Sequence, residues 1–381
     1  MARMLPDGRR LGAHLALGDG MVKAADRAAE IGATALQIFS DNPTAWRRRA
    51  APSPEIPAFR ARLDAARIAP LAIHASYLIN LAGSDPAYHE RSVALLAAEL
   101  RSARRFGAAI VNVHVGSHGG AGIEAGIERL VTAVRRALDT ENDPDPTPEP
   151  EDPAGVDAQP ASVVPARSDG QASGVIPAGT DDPSPPATIT FENAAGSGFA
   201  LGIDLDELAA IAAALHQAGV PDDRIAFCLD TAHAWGAGYE LSDPEAIDAF
   251  VEAFERRIGL HRLPLIHLND SRSELGSRTD RHEHIGAGRI GEIGMGHLLR
   301  HPRLADATYI LETPGMDEGY DTINVARAVA LARGEPLAPL PPGAFTLRGS
   351  RARAATPRDP IAEPDPEPVS STAPLPSATA T

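Results

Sequence analysis

Eight short β-rich runs, each followed by a helical pattern, constrain this chain more than any other feature. They are GAHLAL (12–17), ALQIF (35–39), LAIHAS (71–76), IVNVHV (110–115), TITFEN (188–193), IAFCLD (225–230), LPLIHLN (263–269) and YILETP (309–314). Between them lie Ala- and Leu-rich segments such as MVKAADRAAEIG, YHERSVALLAAELRSARRFG, IDLDELAAIAAAL and EAIDAFVEAFERRIG, several closed by the glycine that commonly ends a helix. Strand-helix alternation repeated eight times predicts an α/β fold with parallel strands closed into a (β/α)8 TIM barrel. A doubly wound open sheet is the architectural alternative.

Two segments fall outside that rhythm. Residues 140–187 read as a disordered, acidic, Pro-rich insertion: Thr140 to Pro186 holds ten carboxylates, one arginine and eleven prolines, with too little apolar surface to offset the entropy of ordering it. That stretch carries −9 of the chain's formal net charge of −16. Residues 341–381 are rich in Pro, Ala and Ser, the composition of a mobile tail. What remains, a domain spanning 1–340 around the insertion, is near the usual size of one barrel, roughly 250 residues or somewhat more. The single cysteine, Cys228, can form no internal disulfide and lies in the apolar run IAFCL, which fits a reducing, cytoplasmic setting. No window approaches the roughly 18 apolar residues of a membrane span, and the N-terminal apolar stretch is too short for a signal peptide. No membrane partner is expected.

The chemistry lies where the runs end. His74 closes the third, His114 the fourth, Glu192 the fifth, Asp230 the sixth, His267 the seventh, and Glu312 ends the eighth. In a barrel these positions converge on the C-terminal mouth, where barrel enzymes keep their active sites. His233, in DTAH, can face the same cavity from the turn after Asp230. Asp280 and His282, in DRH, can do so from the loop after the seventh run, because alternate residues of an extended segment point the same way. These five histidines and four carboxylates, with no cysteine among them, suit Zn2+ or Mn2+. They are too many for one ion and imply two or three.

The runs HASYLINLA, NVHVGSH, FENAAGSG, CLDTAHAWGAGY, HLNDSRSELGSRTDRHEHIG and ILETP resemble the successive signatures of the endonuclease IV family of apurinic/apyrimidinic (AP) endonucleases, from Gly12 to Ala332. The resemblance implies three Zn2+ per chain, with Mn2+ an option at one position. His74, His114 and Glu192 would hold the first ion; Glu192 would bridge to a second held also by Asp230, His267 and Glu312; His233, Asp280 and His282 would hold the third. It implies metal-dependent hydrolysis of the phosphodiester 5' of AP sites, leaving a 3'-OH and a 5'-deoxyribose phosphate, with Glu192 and a metal-bound hydroxide as the catalytic groups. It implies removal of 3'-phosphate and 3'-phosphoglycolate blocks at the same centre, a role in base excision repair of duplex DNA, and action as a monomer at the nucleoid.

For DNA contact, the resemblance assigns Tyr77 and Leu78 as a wedge entering the minor groove. Arg278 and Arg281, in the loop that carries two ligands, are expected phosphate contacts. Some family members place a DNA-penetrating arginine just before Trp46, where this chain has Thr44; Arg47 or Arg48 is the replacement to consider, and Trp46 is a further expected DNA contact. His14 and Gln37 are expected to support the ligands or to touch DNA. Asn112 and Asn269 are read as hydrogen-bonding residues of the barrel, His118 as structural, and His284 and His297 as surface residues.

A net charge of −16 opposes binding to phosphates. Three divalent ions at the mouth would reverse the local sign whatever the sum over the sequence. Two rival readings stay open. A sugar isomerase or epimerase of the xylose isomerase-like superfamily also gathers ligands at strand ends, but has no use for a third ligand set or for a wedge. A non-catalytic binder of damaged DNA would keep the wedge but has no need of a bridging Glu192.

Overall fold

The computed structural model describes residues 5–49, 51–143 and 185–346. Eight of its strands close into a barrel: β1 (Leu11–His14), β2 (Ala35–Phe39), β3 (Leu71–His74), β4 (Ile110–His114), β5 (Thr188–Glu192), β6 (Ile225–Asp230), β7 (Leu265–His267) and, after the two-residue strands β8 (Asp270–Ser271) and β9 (His282–Glu283), β10 (Thr308–Leu311). All barrel pairings are parallel, and β10 closes the ring onto β1 with Gly12 opposite Ile310. The expected (β/α)8 barrel is therefore the observed fold, and the open-sheet alternative is excluded. Each of the eight β-rich runs contains or overlaps its strand.

The helices are α1 (Met21–Glu30), α2 (Ile56–Ala66), α3 (Pro86–Phe106), α4 (Ile123–Thr140), α5 (Leu205–Gln217), α6 (Thr231–Ala237), α7 (Pro244–Arg257), α8 (Gly291–Arg300) and α9 (Tyr320–Arg333). Asp85, Asp204, Asp230 and Asp243 stand at the N-caps of α3, α5, α6 and α7 and each accepts a backbone N–H from the first turn. Such a cap contributes about 1 kcal/mol by satisfying a donor that the helix leaves free. The main apolar core lies between strands and helices, with Leu36, Ile38, Ile73, Val111, Val113, Phe191, Phe227, Ile266 and Leu311 facing outward from the barrel onto helical Leu, Ala and Phe.

The alternating side chains fill the barrel interior in layers. At the floor, Ala35, Ala72, Ile110, Cys228, Leu265 and Ile310 form a separate buried cluster. One residue pair further along each strand, the period of two brings Gln37, His74, Asn112, Asp230, His267 and Glu312 to the same side. Gly12 is required by this packing, since a Cβ there would lie 2.1 Å from the Ala35 carbonyl oxygen. An apolar floor beneath a polar roof thus follows from inward-facing positions that are apolar early in each strand and polar later, Gln37 and Asn112 in mid-strand included.

The segment boundaries differ from expectation at their edges. Thr140 is the last residue of α4, and the buried Glu141 takes both terminal nitrogens of Arg224 at 2.8 Å, so ordered chain extends past 140. The residues from Pro342 to Phe345 form a turn of 3-10 helix with Ala344 buried, so the packed body continues beyond 341. A buried ion pair and a buried methyl won out over composition at those positions. The remainder of the expected insertion and tail, residues 144–184 and 347–381, lies outside the described residues. Among the described residues, no helix is long and apolar enough to cross a membrane.

Candidate metal centre

His74, His114, Glu192, Asp230 and His267 are the last residues of β3 to β7, and Glu312 follows β10. The register places His114 beside Glu192 and Asp230 beside His267. The nine expected ligand positions come together at the mouth. His74, His114 and Glu192 form one group whose ligand atoms lie within 4.8 Å of one another; Glu192, Asp230, His267 and Glu312 form a second; Asp230, His233 and His282 form a third. Asp280 flanks the third, with its oxygens 3.3 Å from His233 Nε2 and 3.0 Å from His282 Nε2. Glu192 joins the first two groups and Asp230 the last two.

Hydrogen bonds fix how these side chains are aimed. His74 Nδ1–H donates to the Ala75 carbonyl at 2.8 Å, His233 Nδ1–H to the Asn193 carbonyl at 2.9 Å, and His282 Nδ1–H to the Glu312 carbonyl at 2.9 Å. His267 is reversed: its Nε2–H donates to Gln37 Oε1 at 2.9 Å. In each ring the remaining nitrogen turns toward the carboxylates, so that once deprotonated its lone pair would face a bound ion, the orientation that metal-bound histidines require. The carboxylates are aimed by amides. Asn112 Nδ2 donates to Glu192 Oε2 at 2.6 Å, Asn269 Nδ2 to Asp230 Oδ2 at 2.7 Å, and Gln37 Nε2 to Glu312 Oε1 at 2.7 Å.

Whether this donor set fits metal ions can be tested on the atoms that remain. Glu192 Oε1, His267 Nδ1 and His282 Nε2 are all buried and all lack a hydrogen-bond partner. Unsatisfied buried polar atoms are costly, and cations would satisfy these: Glu192 Oε1 and His267 Nδ1 lie 3.4 Å apart, and His282 Nε2 faces the Asp230 and Asp280 carboxylates. The imidazoles and carboxylates of the three groups match Zn2+ or Mn2+, and the Cys228 thiol also lies within 4.8 Å of ligand atoms of Glu192 and His267. The residues fit the group.

The electrostatics agree. Burial opposes charge on Glu192, yet His114, His267 and His233 hold its carboxyl well below the usual range. Burial likewise opposes ionisation of Glu312, which His267 and His14 overcome. On the histidine side, burial lowers the His282 pKa, but Asp230 and Asp280 more than compensate and push it up to about 9. Without ions, the carboxylates favour protons on His74, His233, His267 and His282 despite burial, whereas burial holds the His114 ring below its ordinary pKa.

The DNA-side expectations divide. Tyr77 is 57% exposed on the loop after β3, its ring resting against Phe39 and His74, while Leu78 beside it is half-buried. Tyr77 N–H and Ser76 Oγ–H both donate to the Pro43 carbonyl, which ties this loop to the one after β2. Arg278 and Arg281 are exposed, and neither guanidinium has a hydrogen bond or ion pair among the described residues. Gln37 is corrected: at 0% exposure it cannot touch DNA and instead supports His267 and Glu312. His14 is buried beside Glu312 at 3.2 Å and belongs with it. Arg48 is corrected as well, since its guanidinium is engaged by buried Glu99 at 2.8 Å and by Ser40 at 2.5 Å. Trp46 is half-buried, edge-on to Tyr88 with Arg91 over its ring, and Arg47 is exposed on the same loop.

Of two further histidines, one departs from its expected place and one holds to it. His284 is fully buried, donating from Nε2 to the Ala344 carbonyl and accepting at Nδ1 from Asn324, so it is no surface residue. His118 is structural as expected, with Nδ1 accepting the Gly122 N–H. Asn193 was missed altogether. Its amide pairs with the backbone of Asp230 at both N–H and C=O, and its own carbonyl orients His233. The only signal for it was its place immediately after Glu192.

A closed parallel barrel with imidazole and carboxylate converging on its C-terminal mouth defines the class, and the sequence model described as xylose isomerase-like TIM barrel matches residues 25–333. Within that class, a curated relative from Methanoculleus marisnigri named "Probable endonuclease 4" is 35% identical over 322 residues, 84% of this chain and 98% of its own length. Another of that name from Halothermothrix orenii is 33% identical over 322 residues, covering 84% and 99%. The crystal structure of endonuclease IV from Thermus thermophilus superposes with a TM-score of 0.64 at 34% identity, covering 85% of this chain and 99% of that one. The chain belongs to the endonuclease IV family. A D-tagatose 3-epimerase-like protein at 15% identity and TM-score 0.54 shares the barrel alone.

Proposed function

We propose that this protein is a DNA repair endonuclease that hydrolyses the phosphodiester 5' of AP sites in duplex DNA, with 3'-phosphatase and 3'-phosphodiesterase activity at the same centre. The observation that carries this reading is Glu192: a buried carboxylate shared by two ligand groups, with Oε1 lacking a hydrogen bond and Oε2 held by Asn112. In the reaction a water oxygen bonds to phosphorus and the bond from phosphorus to O3' breaks, leaving a 3'-OH and a 5'-deoxyribose phosphate. His74, His114 and Glu192, then Glu192, Asp230, His267 and Glu312, then His233, Asp280 and His282 would hold three Zn2+, with Mn2+ an option at one position. When bound, such ions supply a nucleophile at neutral pH and offset charge on the departing oxygen.

The chain's own residues do the rest. Asn112, Asn269 and Gln37 keep three carboxylates aimed inward, so no reorganisation is needed as charge shifts. Arg278 and Arg281 offer free guanidiniums to the phosphates flanking the lesion. Tyr77 and Leu78, on a loop braced by Pro43, fill the gap in the base stack as the abasic nucleotide turns outward. Support for this assignment comes from the named relatives, which this chain matches along nearly their whole length.

The test is incubation of a duplex carrying one AP site with the protein, with and without chelator, followed by analysis of both ends. Chelator-sensitive appearance of a 3'-OH and a 5'-deoxyribose phosphate is expected. A 3'-unsaturated aldehyde end, the mark of β-elimination, would replace hydrolysis with lyase chemistry.

A further inference from the structure

On the outer wall of the barrel, Asp248 of α7, His297 in the last turn of α8 and His301 at the end of α8 form a second cluster that shares no residue with the mouth. Their ligand atoms lie within 4.8 Å of one another. His297 Nε2 is 2.6 Å and His301 Nε2 3.3 Å from the same oxygen, Asp248 Oδ1. The four-residue spacing brings the two imidazoles to one side of the helix end, with ring centroids 5.7 Å apart. We infer that this triad is a further divalent-cation site, binding Zn2+ through one nitrogen of each histidine and one oxygen of Asp248, with water completing the shell.

Three physical features favour a cation there. Two imidazoles and one carboxylate are a donor set that suits Zn2+. The C-terminal end of α8 presents the negative pole of its dipole to the same region. Nearby positive charge is already engaged: Arg303 pairs with Glu252 at 2.5 Å, and Arg9 with Asp7 at 3.2 Å and the Leu299 carbonyl at 2.6 Å. Burial also holds the His301 ring below its ordinary pKa, although Asp248 opposes the shift, so the ring is neutral and ligand-competent near neutrality.

One feature sets the strength. His301 Nδ1 accepts the Arg303 N–H at 3.2 Å, which leaves the ring proton on Nε2. An ion at Nε2 moves that proton to Nδ1 and forfeits this long hydrogen bond. The outer site is therefore the weaker one, released by mild chelation before the ions of the mouth. Its effect is to join α7 to α8 across the barrel wall.

The full-length protein is equilibrated with micromolar Zn2+, dialysed without chelator and assayed for metal. Wild type is expected to hold one zinc per chain more than His297→Ala or Asp248→Asn, with incision of an AP-site duplex unchanged in both variants. Because the readout is a difference, it stands whatever the mouth contains and whatever reaction the mouth catalyses. Should a variant fold poorly, modification of His297 in wild type by diethylpyrocarbonate gives a second reading, and zinc is expected to slow it at least several-fold. Equal zinc contents, or modification of His297 at the same rate with and without zinc, overturns the site.

Discussion

Glu192 illustrates how much one position can carry. Its neighbours hold it ionised in a place where burial alone would neutralise it, and one of its oxygens is left for a cation. Glu192→Gln keeps the shape and removes the charge. Incision is expected to fall by about three orders of magnitude or more, the scale of losing a directly participating group, while binding of AP duplex is largely retained. Single-turnover incision alongside a binding titration checks this, and near-normal cleavage would remove Glu192 from the chemistry. His282 gives a pH signature. Its pKa is raised to about 9 in the folded, metal-free protein, so the stability it contributes is complete below the unfolded value near 6.5 and is lost as pH rises through about 9. A bound cation needs the neutral ring and displaces that proton. The difference in thermal midpoint between metal-loaded and chelator-stripped protein is therefore expected to widen from about pH 6.5 to about pH 9. A constant difference would mean that His282 holds its proton in both forms. These residues were legible because an imidazole or carboxylate at the end of an apolar strand is conspicuous. Asn193 was not, and Gln37 was named with its role left open between supporting the ligands and touching DNA, since an amide has no titration or ligand signature and its role depends on which way its two ends point. Arg48 was misread for a different reason: the buried Glu99 that engages it lies 51 residues away.

At the scale of elements, the strands were read within a few residues because their periodicity and apolar content are decisive, whereas β8 and β9 were missed. Two residues per strand carry no period, and the pairing of Asp270 with Glu283 and Ser271 with His282 depends on a loop returning to its start. What brings it back is Asp270, fully buried, whose oxygens accept the N–H groups of Ser271 at 2.8 Å, Gly288 at 2.9 Å, Ile290 at 3.0 Å and Gly291 at 3.2 Å. Gly288 is needed for that approach, because a Cβ would lie 2.4 Å from the Ser271 carbonyl oxygen. The same hairpin delivers His282 to the mouth, and the segment between its strands carries Asp280, so the pair proposed as ligands in DRH is positioned by an anchor outside the motif. Asp270→Ala leaves several backbone donors unpaired in a buried place and is expected to cost about 3 kcal/mol of stability. Chemical denaturation measures that loss. Incision should fall too, even at temperatures where the variant is fully folded, because the hairpin positions a ligand; a stable, fully active variant would show that β9 is held in place without Asp270.

For the whole molecule the sequence posed a contradiction between an acidic chain and a polyanionic substrate, and charge location is what makes it tractable. Residues 144–184 hold eight carboxylates and one arginine, almost half of the formal net charge. They connect a helix end fixed by the Glu141–Arg224 pair to a strand whose first residue, Thr188, is in register with Ile110. Both flanks are secured by contacts of their own, so replacing 144–184 with a short Gly/Ser linker is expected to leave the barrel and kcat unchanged within about twofold. Its consequence for DNA should be electrostatic. At low ionic strength, near 0.01 M, charges interact across about 30 Å, and removing net negative charge is expected to lower KM for AP duplex several-fold. At about 0.15 M the interaction length shortens to about 8 Å and the two proteins should converge. Steady-state incision across a salt series checks both halves. A KM difference that persists at high salt would mean direct contact between the segment and DNA or the mouth, and a fall in kcat would make it part of the catalytic fold.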